Sequence, residues 1–273
     1  MGVAEHVPQG LRAGYRKLGR ARWPTKAWNL RHYGPGDLSL GQRVRYVTLD
    51  PEVDNFTYPI ANSDELASWV ATELSVDSDE IRGYLAELRD LEPLLRVPLS
   101  RRLWAPPRYQ LGRRAGWYAI CRALKPEVVV ETGMHDGLGS LTLLSALKRN
   151  AADGRDGTLL SFDPLPGTGW LVPDELQDRW EPHHETSDHM EERLNGRRVG
   201  LFIHDSLHTY EVERAELETA WANRGARLVL LSDNAHVTDA MRDTAAEHDL
   251  SFSYWQERPA RHFYPGGGIG LAR

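Results

Sequence analysis

The chain has 273 residues, 41% of them apolar, with 33 Lys+Arg against 39 Asp+Glu and hence a formal charge of −6. This composition excludes a disordered or fibrous protein and leaves one large domain, or a domain with an appendage. The single cysteine, Cys121, excludes an internal disulfide, no cysteine–histidine cluster has zinc-finger spacing, and a reducing, cytoplasmic compartment follows as the expectation.

No apolar run is long enough to span a bilayer, and residues 1–45 lack the apolar core of a secretory signal, so the sequence predicts a soluble protein. The first 45 residues carry nine basic side chains (Arg12, Arg16, Lys17, Arg20, Arg22, Lys26, Arg31, Arg43 and Arg45) against Glu5 and Asp37. No nucleic-acid-binding signature accompanies this charge, so nucleic acid is not expected as a partner. With Trp23, Trp28 and Tyr33 among them, these residues read as an arm lying on the protein's own surface.

From Asn62 or Ser63, either of which can cap, Leu66, Trp69, Val70 and Leu74 repeat at helical spacing. A second helix runs through Ile81, Tyr84, Leu85, Leu88 and Leu91 and stops near Pro93, and Arg96 to Pro107 is a connector rich in Pro and Arg. Residues 1–107 therefore read as an N-terminal extension with helices rather than as a second enzyme domain, and residues 108–273 as the main domain.

Arg113 to Leu124 has the pattern of an amphipathic helix, ended by Lys125-Pro126. Strands then alternate with helices. Strands are predicted at Val128 to Glu131, Thr158 to Phe162, Val199 to His204 and Leu228 to Ser232; helices at Ser140 to Asn150, Ser187 to Leu194, Tyr210 to Ala222 and Thr238 to His248. Repeated strand–helix units require a doubly wound, Rossmann-like α/β sheet, because each crossover returns the chain to the same end. Ser251 to Gln256 and Gly268 to Ala272, joined by a short loop, add an antiparallel pair.

Ligands bind such sheets beyond the carboxyl ends of the strands. After the first strand comes Glu131-Thr132-Gly133-Met134-His135-Asp136-Gly137-Leu138-Gly139-Ser140, a glycine-rich turn opening a helix. Its spacing is neither the dinucleotide-binding fingerprint nor a P-loop, and Glu131 suits a cationic ligand better than a pyrophosphate. After the second strand stands Asp163, placed to accept from ribose hydroxyls. After the third and fourth come Asp205 and the pair Asp233-Asn234, two carboxylates and an amide oxygen that form a hard oxygen set suited to Mg²⁺.

The turn Glu131 to Gly139, Asp163 and the terminal strand pair resemble, in order, the class I S-adenosylmethionine-dependent methyltransferases over roughly residues 110–273. The resemblance implies that Glu131, Gly133, His135, Gly137 and Gly139 line the methionine end of the cofactor, that Asp163 holds the ribose, and that Ser187 and Asp188 contact the adenine. Asp205, His208, Tyr210 and Asp233-Asn234 are similar to the metal-dependent O-methyltransferases of the catechol and macrolide-sugar type. That similarity implies Mg²⁺ on Asp205, Asp233 and Asn234, a small-molecule acceptor with adjacent oxygens such as a sugar diol or catechol in natural-product tailoring, and His208 as general base. A metal lowers the pKa of a bound hydroxyl, and a neutral imidazole can then take its proton.

His236 and Asp239 rival His208 and the metal ligands, and Tyr264 to Gly268 reads as an interstrand loop or a substrate rim. A metal-independent N- or carboxylate methyltransferase, or a non-catalytic cofactor-binding subunit, are the competing readings. A homo-oligomer is compatible with all of them. The resemblance implies that residues 108–273 are the methyltransferase domain and that residues 1–107 form a lid or subunit contact, with Asp54 to Tyr58 as the candidate lid segment.

Overall fold

The structure is a computed structural model that describes residues 58–98, 108–260 and 266–273, together with 31, 39–41, 43 and 44. Most of the basic arm, residues 54–57 of the expected lid, and Tyr264 and Pro265 lie outside the described residues, as does most of the connector.

Seven strands form one sheet: β1 (Val128–Thr132), β2 (Thr158–Phe162), β3 (Trp180–His183), β4 (Val199–His204), β5 (Arg224–Asp233), β6 (Phe252–Gln256) and β7 (Gly268–Ala272). Their order is 3-2-1-4-5-7-6. The first five are parallel, while β7 runs antiparallel to both β5 and β6, as the alternation of strands and helices and the short last connection predict.

Both faces are covered, which is why β1 reads Val128-Val129-Val130 with no polar alternation. Val129, Leu159, Leu201, Ile203 and Leu231 face one core, closed by α1 (Ser63–Leu74), α2 (Ser78–Glu87), α3 (Arg114–Leu124) and α4 (Leu138–Ala152). Val130, Leu160, Phe202 and Leu230 face the other, closed by α5 (Met190–Leu194), α6 (Tyr210–Ala222) and α7 (Ala240–Glu247). The helices of the N-terminal extension thus share a core with the sheet: Leu66, Val70 and Ile81 are fully buried there.

Asn62 does not cap α1 through its side chain. Its amide donates to the Gln256 carbonyl at 2.9 Å, and its Oδ1 accepts from the Arg258 backbone at 2.9 Å. Trp69 Nε1 donates to Ser253 Oγ at 3.1 Å, so α1 packs along β6 and covers an otherwise open sheet edge. Among the described residues no helix is long and apolar enough to cross a membrane.

Candidate active site

The glycine turn is built against the loop that follows β4. Gly133 has φ 87°, and a Cβ there would lie 2.0 Å from the Asp205 carbonyl oxygen, so only glycine permits this approach. Backbone bonds Gly133 N–H to Phe162 O (2.8 Å) and Asp205 N–H to Thr132 O (3.0 Å) hold the three strand ends together. Gly137, at φ 95°, precedes α4, whose first turn has no side-chain cap and leaves backbone N–H groups facing the turn.

Glu131 is fully buried under that turn, where Ser140 and Ser161 donate to Oε2 at 2.5 and 2.9 Å. Among the described residues Oε1 has no hydrogen-bond partner, and it lies where a Cβ on Gly139 would come within 2.1 Å. Burial pushes this carboxyl up to about 7, against the two serine bonds and the Arg114 charge. Between the ordinary value of 4.5 and about 7 the folded chain therefore keeps a proton that the unfolded chain has lost. Stability should fall through that window as pH rises, by about 3 kcal/mol, and this contribution should level off above it. Glu131→Gln should remove the slope in urea unfolding at stepped pH; a slope that survives would assign it elsewhere.

Asp163 is buried and already bound on both oxygens: Oδ2 accepts from the His135 backbone and Oδ1 from the Leu165 backbone, each at 2.9 Å. It clasps the glycine turn to the end of β2, and any ribose contact would use its remaining lone pairs. His135 takes a left-handed backbone, φ 46°, and turns its ring outward. Tyr109 and Trp170 donate to opposite oxygens of Asp136, the latter at 2.8 Å. Ser187 donates to Glu216 Oε1 at 2.6 Å, whereas Asp188 is exposed and accepts only from Thr186.

Glu216, on α6, is a buried hub that the sequence reading overlooked. It accepts from Thr132 (2.6 Å), Ser187 and Ser206 (2.9 Å), and its Oε2 lies 2.6 Å from His204 Nδ1, joining the ends of β1 and β4 to the segment after β3. Burial alone would raise its carboxyl, but the His204 bond and charge and the serine and threonine donors hold it below the ordinary value. His204 is thus fully buried beneath the site, in edge-to-face contact with His208, with ring centroids 5.3 Å apart.

Asp205, His208 and Asp233 come together with one ligand atom of each within 4.8 Å of the others. His208 Nε2 lies 3.9 Å from Asp205 Oδ1, and its Nδ1 is buried with no hydrogen-bond partner among the described residues. Burial holds its pKa below the ordinary histidine value despite the opposing Asp233 charge, so the ring is neutral at pH 7. Of the rivals, His236 is exposed with Nδ1 3.1 Å from the Tyr254 hydroxyl and close enough to feel the Arg113 and Asp233 charges, and Asp239 pairs with Arg242 on the surface.

The two carboxylates are not free. Arg113 donates from Nε and Nη2 to the two oxygens of Asp233, each at 2.5 Å, and from Nη1 to Glu257 Oε1 at 2.9 Å. Arg114 Nη2 donates to Asp205 Oδ2 at 2.7 Å. Burial and the neighbouring Asp233 raise the Asp205 carboxyl far above its ordinary value, while the Arg113 guanidinium outweighs burial and keeps Asp233 ionised. Asn234, at φ 55°, donates Nδ2 to Asp233 Oδ2 at 3.2 Å, and its Oδ1 abuts Gly267. The donors foreseen for Mg²⁺ are gathered, but both oxygens of Asp233 are taken by a guanidinium and its side chain has no exposed surface. An ion there would have to share Asp233 with the guanidinium, through the lone pairs that Arg113 leaves.

Residues 130–235 match a protein family described as a methyltransferase domain. Among solved structures, the chain is similar to an O-methyltransferase from Bacillus cereus in complex with SAH (13% identity, 76% of this chain and 96% of that one, TM-score 0.47). It is also similar to an O-methyltransferase from Streptomyces achromogenes involved in tomaymycin synthesis, in complex with SAM (13%, 81% and 92%, 0.45), and to an rRNA methylase from Streptococcus thermophilus (12%, 59% and 95%, 0.42). No curated protein matches the chain.

Proposed function

Taking as premise that residues 130–235 are a methyltransferase domain of the S-adenosylmethionine-dependent class, we propose that the chain transfers a methyl group to a hydroxyl of a small molecule, with His208 as proton acceptor. The observation that carries this is the packing of Gly133 on the Asp205 backbone, which sets the glycine turn and the His208 loop side by side.

S-adenosylmethionine supplies an electrophilic methyl on a sulfonium. The residues suited to hold it are the glycine turn and the uncapped start of α4, with the unpartnered Glu131 Oε1 close behind Gly139 and Asp163 at the end of β2. Glycines leave room that a Cβ would fill at Gly133 and Gly139, and the carboxylates suit a cationic ligand.

A hydroxyl is a poor nucleophile until its proton is leaving. The neutral imidazole of His208, one-quarter exposed, would accept that proton, and bound S-adenosylmethionine would supply the methyl group. Arg114 and the buried His204 hold the walls: the first fixes Asp205 beside Nε2, the second packs edge-on against the His208 ring. The Mg²⁺ inferred from the sequence has no role in this reading, and without it the acceptor needs only one hydroxyl rather than two adjacent oxygens.

Titration calorimetry with S-adenosylhomocysteine tests the premise. One molecule should bind per chain in the absence of any metal; no heat at millimolar ligand would remove the cofactor site and the proposal with it.

A further inference from the structure

Behind the proposed site lie five charged side chains from four segments. Arg113 and Arg114 stand at the start of α3, Asp205 follows β4, Asp233 ends β5 and Glu257 follows β6. Arg113 bridges two of the acids: its side chain grips both oxygens of Asp233 and Oε1 of Glu257, and its backbone N–H donates to Glu257 Oε2 at 2.9 Å. Glu257 is also fixed by the Gly267 backbone N–H at 3.0 Å.

We infer that the Arg113 guanidinium is the resident cation of Asp233, occupying the carboxylate that a divalent ion would need, so that this chain's site is complete without metal. Three observations carry the inference, which rests on the methyltransferase reading only for what the site is used for.

The first is geometric. A carboxylate in a two-point contact with a guanidinium has both oxygens committed along the lone pairs that face it, and Mg²⁺ requires near-octahedral oxygens at roughly 2.0–2.1 Å while keeping several waters. The second is space. A Cβ on Gly267 would come within 2.4 Å of Asn234 Oδ1 and 2.9 Å of Arg113 Nη1, so Gly267 is packed directly on the arginine and the amide and closes that side of Asn234 to an ion.

The third is charge. Arg113 already bridges Asp233 and Glu257, and Arg114 already lies on Asp205. A divalent cation would add two positive charges beside two guanidiniums, in surroundings where Arg113 and Asp233 side chains are 7% and 0% exposed and charges are poorly screened. Arg113 is accordingly a positioning residue. It fixes the ends of β5 and β6 against α3, and through Asp233 it sets the neighbour of Asp205 and His208.

Titration of the full chain with Mn²⁺, followed by electron paramagnetic resonance, tests this without reference to turnover. The free-ion signal should remain undiminished at equimolar and several-fold excess protein, and it should fall in Arg113→Ala, where Asp233 and Glu257 lose their cation. One Mn²⁺ bound per wild-type chain, lost in Asp205→Asn, would overturn the inference. So would a folded Arg113→Ala that still takes up no metal, because something other than the arginine would then exclude the ion. If Arg113→Ala does not fold, the wild-type titration decides by itself. Because neither measurement uses cofactor, failure here is separable from failure of the homocysteine-nucleoside titration.

Discussion

Arg113→Ala is expected to lower the unfolding free energy by about 3–5 kcal/mol, the cost typical of removing one partner from a buried ion pair. The side chain makes three charge-assisted bonds, and all of them end on carboxylates that water does not reach. Truncation does not merely delete those bonds. It leaves Asp233 fully buried beside Asp205, whose own partner is Arg114, and takes from Glu257 the guanidinium that meets its Oε1.

The chain can relieve the strain by protonating one acid, so the loss should shrink as the pH is lowered towards 5. Urea unfolding followed by circular dichroism at pH 5 and pH 8 measures both effects. Arg82, whose pairs with Asp64 and Asp79 are solvent-exposed, is the control, and its truncation should change little. A loss at Arg113 no larger than at Arg82 would mean that the buried network contributes nothing.

The sheet was legible because its strands are apolar on both faces and bounded by turn residues. The bounds of β2, β4 and α6 coincide with those that the periodicity predicts. β3 was not legible: Trp180-Glu181-Pro182-His183 has neither alternation nor a run of β-branched residues, and it is a strand because it closes one edge of the sheet, where proline is tolerated. β5 starts at Arg224 rather than Leu228, since its polar first half pairs with β4 across a register shift. The predicted helix from Ser187 divides into a 3₁₀ turn over Ser187–His189 and α5, with Ser187 drawn to Glu216.

The acids of the site were visible because each follows a strand; their partners were not. Arg113 and Arg114 belong to a helix whose pattern reads as ordinary amphipathic surface, and the acids they meet lie 91 to 144 residues away. One local sign existed. Two arginines at a helix N-terminus oppose the helix dipole and require compensation from elsewhere. Glu213 and Glu216 carry a similar sign, two acids on the buried face of α6, where an unpaired carboxylate would be costly. The serine, threonine and histidine that satisfy them come from the ends of β1, β4 and β5, from the segment after β3 and from the approach to α7.

His208→Ala is expected to reduce kcat by about 10²- to 10⁴-fold, the range that a positioned general base supplies. The loss should fall on kcat rather than on cofactor affinity, because the ring lies on the β4 loop while the atoms we propose to hold the cofactor belong to the turn after β1 and the end of β2. Calorimetry with S-adenosylhomocysteine on the same variant should therefore give an unchanged affinity. The pH profile provides the independent check. Burial holds the imidazole pKa below its ordinary 6.5, so activity should be constant near neutrality and fall on the acid side only below that value, as the ring takes a proton and ceases to accept one. In His208→Ala that acid limb should disappear along with the rate. If the variant retained both rate and limb, the proton would be leaving by another route, and exposed His236, whose Nδ1 faces the Tyr254 hydroxyl, would be the next residue to replace.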